Sequence, residues 1–175
     1  MLKHFFCASL LAVNILTSAF YLPRPALSQD IQIEAISTKA LPRIITKEHR
    51  YPTVILFYSS ECPRCQKFFP EFLKFMEKYK KRDVNVMLFS LDPKIENLID
   101  FLQPVKSTFN TYWVEPYQQG EMTAALEESG ITVGERFYYP FVVIINSDGM
   151  IVGQWEALEL IDQIKSKLTS LRVYE

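Results

Sequence analysis

The stretch TVILFYSSECPRCQKFFPEF, Thr53–Phe72, begins as a run of β-branched and aromatic residues, passes through Cys62-Pro63-Arg64-Cys65, and ends among phenylalanines. The opening TVILFYSS is short and continuously apolar, the pattern of a buried strand. Phe68, Phe72, Phe75 and Tyr79, with Phe69 and Met76 beside them, recur at three- and four-residue steps. That spacing predicts a helix of about five turns with one apolar stripe, read as core packing. The two cysteines therefore fall where a strand gives way to a helix.

Working outward, VNVMLFSLD (Val84–Asp92) reads as a second buried strand and PKIENLIDFL as a helix opened by Pro93. NTYWVEP is extended, and GEMTAALEESG is helical with Gly130 as its stop. PFVVIINSDGMIVGQW gives two strands around a turn at Ser147-Asp148-Gly149. Leu158, Ile161, Ile164, Leu168 and Leu171 mark a closing helix. Upstream, IQIEAI alternates enough for a short edge strand. The strand-helix alternation predicts an α/β sheet, and 175 residues, 49% of them hydrophobic, suit one domain.

The first 28 residues have the layout of a secretory signal: Lys3 and His4, an apolar run from Phe5 to Leu22, and ALS before a cut after Ser28. Retention of that run as a membrane anchor is the alternative, with Asn14 interrupting it. Cys7 precedes most of the run and reads as a small hydrophobe. The expected organisation is a signal over residues 1–28, an extension over 29–50 and a domain over 51–175. Cleavage leaves 17 basic against 20 acidic residues, a net charge near −3. Nucleic-acid binding needs clustered cations that this chain lacks. The one basic cluster, Lys78–Arg82, is expected to close the helix after the cysteines, where cations complement the dipole.

A C-x-x-C pair can bind metal, staple a fold or exchange electrons. Zinc wants four ligands, and after cleavage only His49 accompanies the pair. Delivery of copper by two cysteines and a later histidine fails because no histidine follows Cys65. As a staple the pair would close too small a loop to matter. For redox chemistry the placement is apt. Cys62 would sit near unpaired N–H groups at the positive end of a helix, which favour the thiolate. Pro63 needs no N–H at the first helical position, and Arg64 adds a cation. Cys65, one turn on, is expected to be more buried, less acidic and able to resolve a mixed disulfide.

From about Tyr51 to Leu171 the chain resembles the thioredoxin superfamily, and within it exported TlpA/ResA-like thiol-disulfide proteins. The resemblance rests on the strand before the cysteines, the C-P-R-C, Pro70 five residues after Cys65, SLD at Ser90–Asp92, and YPFVVIINSDGMIVG at Tyr139–Gly153. It implies a thioredoxin fold, a central mixed sheet flanked by helices, with an insertion within Gln103–Arg136 before the strand led by a cis-proline at Pro140. Cys62 would be the catalytic nucleophile and Cys65 the resolving thiol. Pro63, Arg64, Tyr139 and Pro140 would border the substrate groove.

The same resemblance implies periplasmic or otherwise exported action on cysteine-containing exported proteins, in cytochrome c maturation or disulfide formation. A membrane or soluble thiol-disulfide electron partner would reset the pair, with no cofactor beyond its disulfide. Three departures bear on rate and direction. Leu56 stands where thioredoxins carry a buried Asp, Phe68 where ResA-like proteins carry a Glu, and Glu61 where a Trp often precedes the first cysteine. No acid from either pattern is left beside Cys65. A non-enzymatic thioredoxin-fold adaptor or chaperone is the competing reading.

Overall fold

The computed structural model describes residues 31–47, 49–105, 107–134, 137–156 and 160–173. The signal reading, with Cys7, and the Leu158 and Arg136 positions lie outside the described residues. Six strands form one sheet: β1 (Ile33–Ile36), β2 (Thr53–Tyr58), β3 (Asn85–Ser90), β4 (Asn110–Val114), β5 (Phe141–Ile145) and β6 (Ile151–Glu156). Their spatial order is β1-β4-β3-β2-β5-β6. The first four neighbours run parallel, while β5 pairs antiparallel with both β2 and β6.

Because side chains alternate across a strand, β2 feeds two cores. Val54, Leu56 and Tyr58 join one with α2 (Pro63–Met76), α3 (Ile95–Leu102) and α5 (Leu160–Ser170). Ile55 and Phe57 join the other with α1 (Leu41–Ile45) and α4 (Gln119–Glu128). Every residue of β2 is buried, as a central strand covered by helices on both faces requires. The chain therefore has the thioredoxin fold, a mixed sheet flanked by helices.

The segment expected to hold an insertion supplies β4 and α4, and β4 lies between the edge strand β1 and β3. The N-terminal extension is thus sewn into the sheet through β1. Gly130 takes φ 77° just past α4 and lets the Ile131 amide reach back to the Leu126 carbonyl at 2.9 Å. Gly149, at φ 81°, makes the β5–β6 turn.

Three local expectations are corrected. Helix α2 ends at Met76, four turns rather than five, and the basic residues Lys78–Arg82 lie in the turns beyond it. Tyr79 is still buried, packed on Phe75 with ring centroids 5.2 Å apart, and the turns end at Asp83 with φ 54°. Pro93 does not open α3: Lys94 is the extended cap and Ile95 the first helical residue. The short α1, with Pro42 in its first turn, has no counterpart in the sequence expectations. Among the described residues no helix is long and apolar enough to cross a membrane.

Candidate active site

Strand β2 ends at Tyr58 and the chain turns through Ser59, Ser60 and Glu61 into α2. Cys62 caps that helix in an extended conformation (φ −81°, ψ 115°), with Pro63 in its first turn. In place of the usual hydroxyl or carboxylate cap, the Cys62 Sγ accepts the backbone N–H of Cys65 at 3.3 Å. Its own thiol donates to the Tyr139 carbonyl at 3.5 Å. The Tyr139–Pro140 peptide bond is cis. Chain segments 77 residues apart in sequence thus meet at one sulfur.

The two cysteines are free thiols in unlike surroundings. Cys62 is half-buried and Cys65 fully buried. Burial first, and the hydrogen-bonded Cys62 second, push the Cys65 thiol up to about 12, against the opposing pull of the Ser59 backbone and Arg64. Pro63 and Arg64 are exposed on the first turn of α2, Tyr139 is half-buried and Pro140 buried. Burial raises the Tyr139 phenol, and the nearby Cys62 adds to the effect. Glu61 is exposed and accepts a hydrogen bond from the Asn97 side chain at 2.7 Å.

Beside this centre, and sharing Tyr139 with it, opens a cleft of about 460 Å³ walled by Pro93, Pro116, Tyr117, Met122 and Phe137. The Phe137 and Tyr139 rings meet edge to face at 6.1 Å. Burial, with Tyr139 adding to it, lifts the Tyr117 phenol to about 12. His49 is not near any ligand set: it is buried, with Nε2 2.9 Å from the Ile45 carbonyl oxygen. Among the described residues no cluster of three or more His, Cys, Asp or Glu is arranged to hold a metal ion.

A sequence profile of thioredoxin-like proteins matches residues 51–151. The chain belongs to the thioredoxin-like family. Solved thioredoxin-like structures share its fold. A candidate DsbE-type thiol:disulfide interchange protein of Chlorobium tepidum aligns over 73% of this chain and 84% of its own, at 17% identity and TM-score 0.57. StoA of Bacillus subtilis covers 69% and 84%, at 20% identity and TM-score 0.52. The thioredoxin domain of a Bacteroides vulgatus thiol-disulfide oxidoreductase covers 68% and 80%, at 21% identity and TM-score 0.52. A search of curated protein sequences gave no significant match.

Within this thioredoxin-like centre the departures have a structural setting. Leu56 is fully buried in β2, and Phe68 packs on Phe72 with centroids 5.6 Å apart. Cys65 shares its core with Leu56, Tyr58 and Phe69. An acid legible in the sequence only as the end of the second strand lies close by. Asp92 is buried and accepts hydrogen bonds on Oδ1 from Ser59 Oγ (2.9 Å), Ser60 N (2.8 Å) and Ser60 Oγ (2.7 Å). Ser90 Oγ donates to Oδ2 at 2.6 Å. The sequence shows an acid closing an apolar strand and two serines before the first cysteine, but not that they meet. Tyr117 and Phe137, which shape the cleft, carried no such signal.

Proposed function

We propose that the protein is a thiol-disulfide oxidoreductase exchanging its Cys62–Cys65 dithiol or disulfide with cysteines of other proteins. The observation that carries this reading is the Cys65 N–H held 3.3 Å from the half-buried Cys62 sulfur, with the second thiol buried behind it.

In the reducing direction the Cys62 thiolate attacks one sulfur of a substrate disulfide. That S–S bond breaks, a mixed disulfide forms, and the departing substrate thiolate takes up a proton. Cys65 then loses its proton and its sulfur attacks Cys62, releasing the second substrate thiol. Two electrons and two protons pass to the substrate and the protein keeps a Cys62–Cys65 disulfide. Oxidation of a substrate dithiol is the reverse sequence. Apolar Leu56 and Phe68 leave no carboxylate at the two family positions to take the Cys65 proton. The second substrate sulfur leaves as a thiolate as Cys65 attacks and takes up the proton that Cys65 gives up.

Pro63, Arg64, Tyr139 and Pro140 border the groove into which a substrate chain lies, and the adjoining cleft receives a side chain flanking its target cysteine. The layout of residues 1–28 and the interchange proteins among the structural neighbours support exported cysteine-containing substrates and a thiol-disulfide electron partner, in the membrane or soluble. Equilibrating the protein in glutathione and dithiothreitol buffers and counting thiols tests the reading. A single reversible two-electron couple is expected, at a potential above about −270 mV because thiolate stabilisation favours the reduced form. No reversible couple overturns the oxidoreductase reading; a potential at or below that value overturns the assigned poise.

The apolar surroundings of Cys65 also suit a non-catalytic adaptor that holds partners in the same groove. Replacing both Cys62 and Cys65 by Ser separates the two: full cellular function in that double variant selects the adaptor.

A further inference from the structure

Among the described residues Asp92 is the one buried acid. It takes part in no step of the exchange, yet four side-chain and backbone donors converge on it. Three of them come from Ser59 and Ser60, the two residues by which the chain leaves β2 for the redox helix, and both are themselves buried. There the backbone has left the sheet, so the Ser60 N–H has no strand partner and finds Asp92 instead.

The loop that Asp92 holds in turn holds the cysteines. The Ser59 carbonyl accepts the Cys62 N–H at 3.2 Å. The Ser60 carbonyl accepts from Gln66 Nε2, one residue past Cys65, at 2.8 Å. Asp92 is itself anchored from the other side. Its carbonyl accepts the Trp113 indole N–H of β4 at 2.8 Å, and its N–H donates to Ser90 Oγ at 3.2 Å. A continuous chain of hydrogen bonds runs from β4 through Asp92 and the two serines to the backbone N–H of Cys62 and to the Gln66 side chain next to Cys65.

We propose that Asp92 is a positioning residue for the redox pair, clamping the Ser59–Ser60 loop to the end of β3 so that Cys62 stays over the head of α2 and Cys65 behind it. The proposal rests on the oxidoreductase reading for its meaning, but its geometry is independent of it. The agent is the acceptor oxygen that the loop donors share. In D92N one side-chain oxygen remains for those three donors, and the amide N–H meets Ser90, whose hydroxyl can turn to accept. In D92A no acceptor remains.

The test measures two quantities in the full chain: the rate of Cys62 alkylation by iodoacetamide at pH 7, and the equilibrium constant with glutathione. D92A is expected to slow alkylation at least tenfold and to shift the equilibrium about tenfold toward the oxidised protein, about 30 mV for a two-electron couple. D92N is expected to stay within about twofold of the parent in both. If D92A does not fold by circular dichroism, the S59A/S60A double variant carries the test, with at least a threefold loss of alkylation rate expected. Parent-like values in D92A, or in S59A/S60A where that is used, overturn the proposal. So does a D92N loss as large as that of D92A, which would assign the effect to charge. A parent protein with no reversible couple sinks the oxidoreductase reading alone, since alkylation still reports on the clamp.

Discussion

The backbone N–H of Cys65 donates to the sulfur of Cys62 at 3.3 Å, while the thiol of Cys65 is buried beneath it. One residue thus reaches the half-buried sulfur through its main chain while its own side chain lies in the core. The asymmetry follows from position on α2: the capping residue half-faces solvent, and the residue one turn inside faces the core.

Alkylation should report this asymmetry directly. With its thiol pushed up to about 12, Cys65 has only about a thousandth of its population as thiolate at pH 9. Iodoacetamide on the reduced protein at pH 8 should therefore label Cys62 and leave Cys65 unlabelled, and peptide mass spectrometry, which also separates Cys7, locates the label. Equal labelling of both cysteines would mean that Cys65 is neither buried nor raised as described.

Stability of the reduced protein should carry the same signature. The neutral Cys65 thiol is favoured in the folded chain, while an unfolded chain ionises near the ordinary 9.0. The contribution is whole below about pH 9 and is lost as pH rises toward about 12, because there only the unfolded state releases the proton. Subtracting the urea midpoints of C65A from those of the parent across pH 8 to 11 removes the parallel contribution of buried Tyr58. The difference should fall with pH; a flat difference excludes the linkage.

Tyr58 ends β2 with a fully buried ring, stacked at a tilt 4.6 Å from Phe69, and its hydroxyl has no hydrogen-bond partner among the described residues. Burial raises this phenol well above its usual value, with Asp92 and Cys65 adding to the shift. A desolvated, unpaired hydroxyl costs stability, so Tyr58→Phe should be neutral or stabilise by about 1 kcal/mol. Urea denaturation checks it. Destabilisation above that size would show that the hydroxyl is satisfied.

The cleft beside Tyr139 should govern substrate affinity rather than redox poise. Tyr117 contributes one aromatic wall, and burying such a side chain against a ligand is worth about 1.5–3 kcal/mol. Tyr117→Ala should raise KM for a disulfide-bearing polypeptide substrate by about tenfold or more, with the glutathione equilibrium unchanged. A shift in that equilibrium without a change in KM would move the substrate elsewhere.

The parts of this protein that were legible in its sequence are those decided within one turn of chain. A β-branched run followed by Cys62 and Pro63 says strand, cap and first helical turn, because each residue's backbone preferences act locally. Gly130 and Gly149 punctuate for the same reason: both take positive φ. The stripe from Phe68 to Tyr79 announced a buried helix face, although where the helix stops was misjudged by a turn, since Tyr79 is equally buried in a turn and in a helix.

What only the tertiary structure decided is which distant groups meet. Sequence placed an acid at Asp92 and serines at 59 and 60, but their convergence depends on β3 lying parallel beside β2 in the register Tyr58 to Ser90. The entry of β4 between β1 and β3 brings Trp113 to the Asp92 carbonyl. The approach of Tyr139 to Cys62 requires β5 to run antiparallel to β2. Local propensity carries no information about register, because a strand pairs equally well with several neighbours until the whole core selects one. The strand, the capping cysteine and the first helical turn are thus written in consecutive residues, while the Asp92 contacts and the cleft beside Tyr139 exist only once the sheet has brought distant strands together.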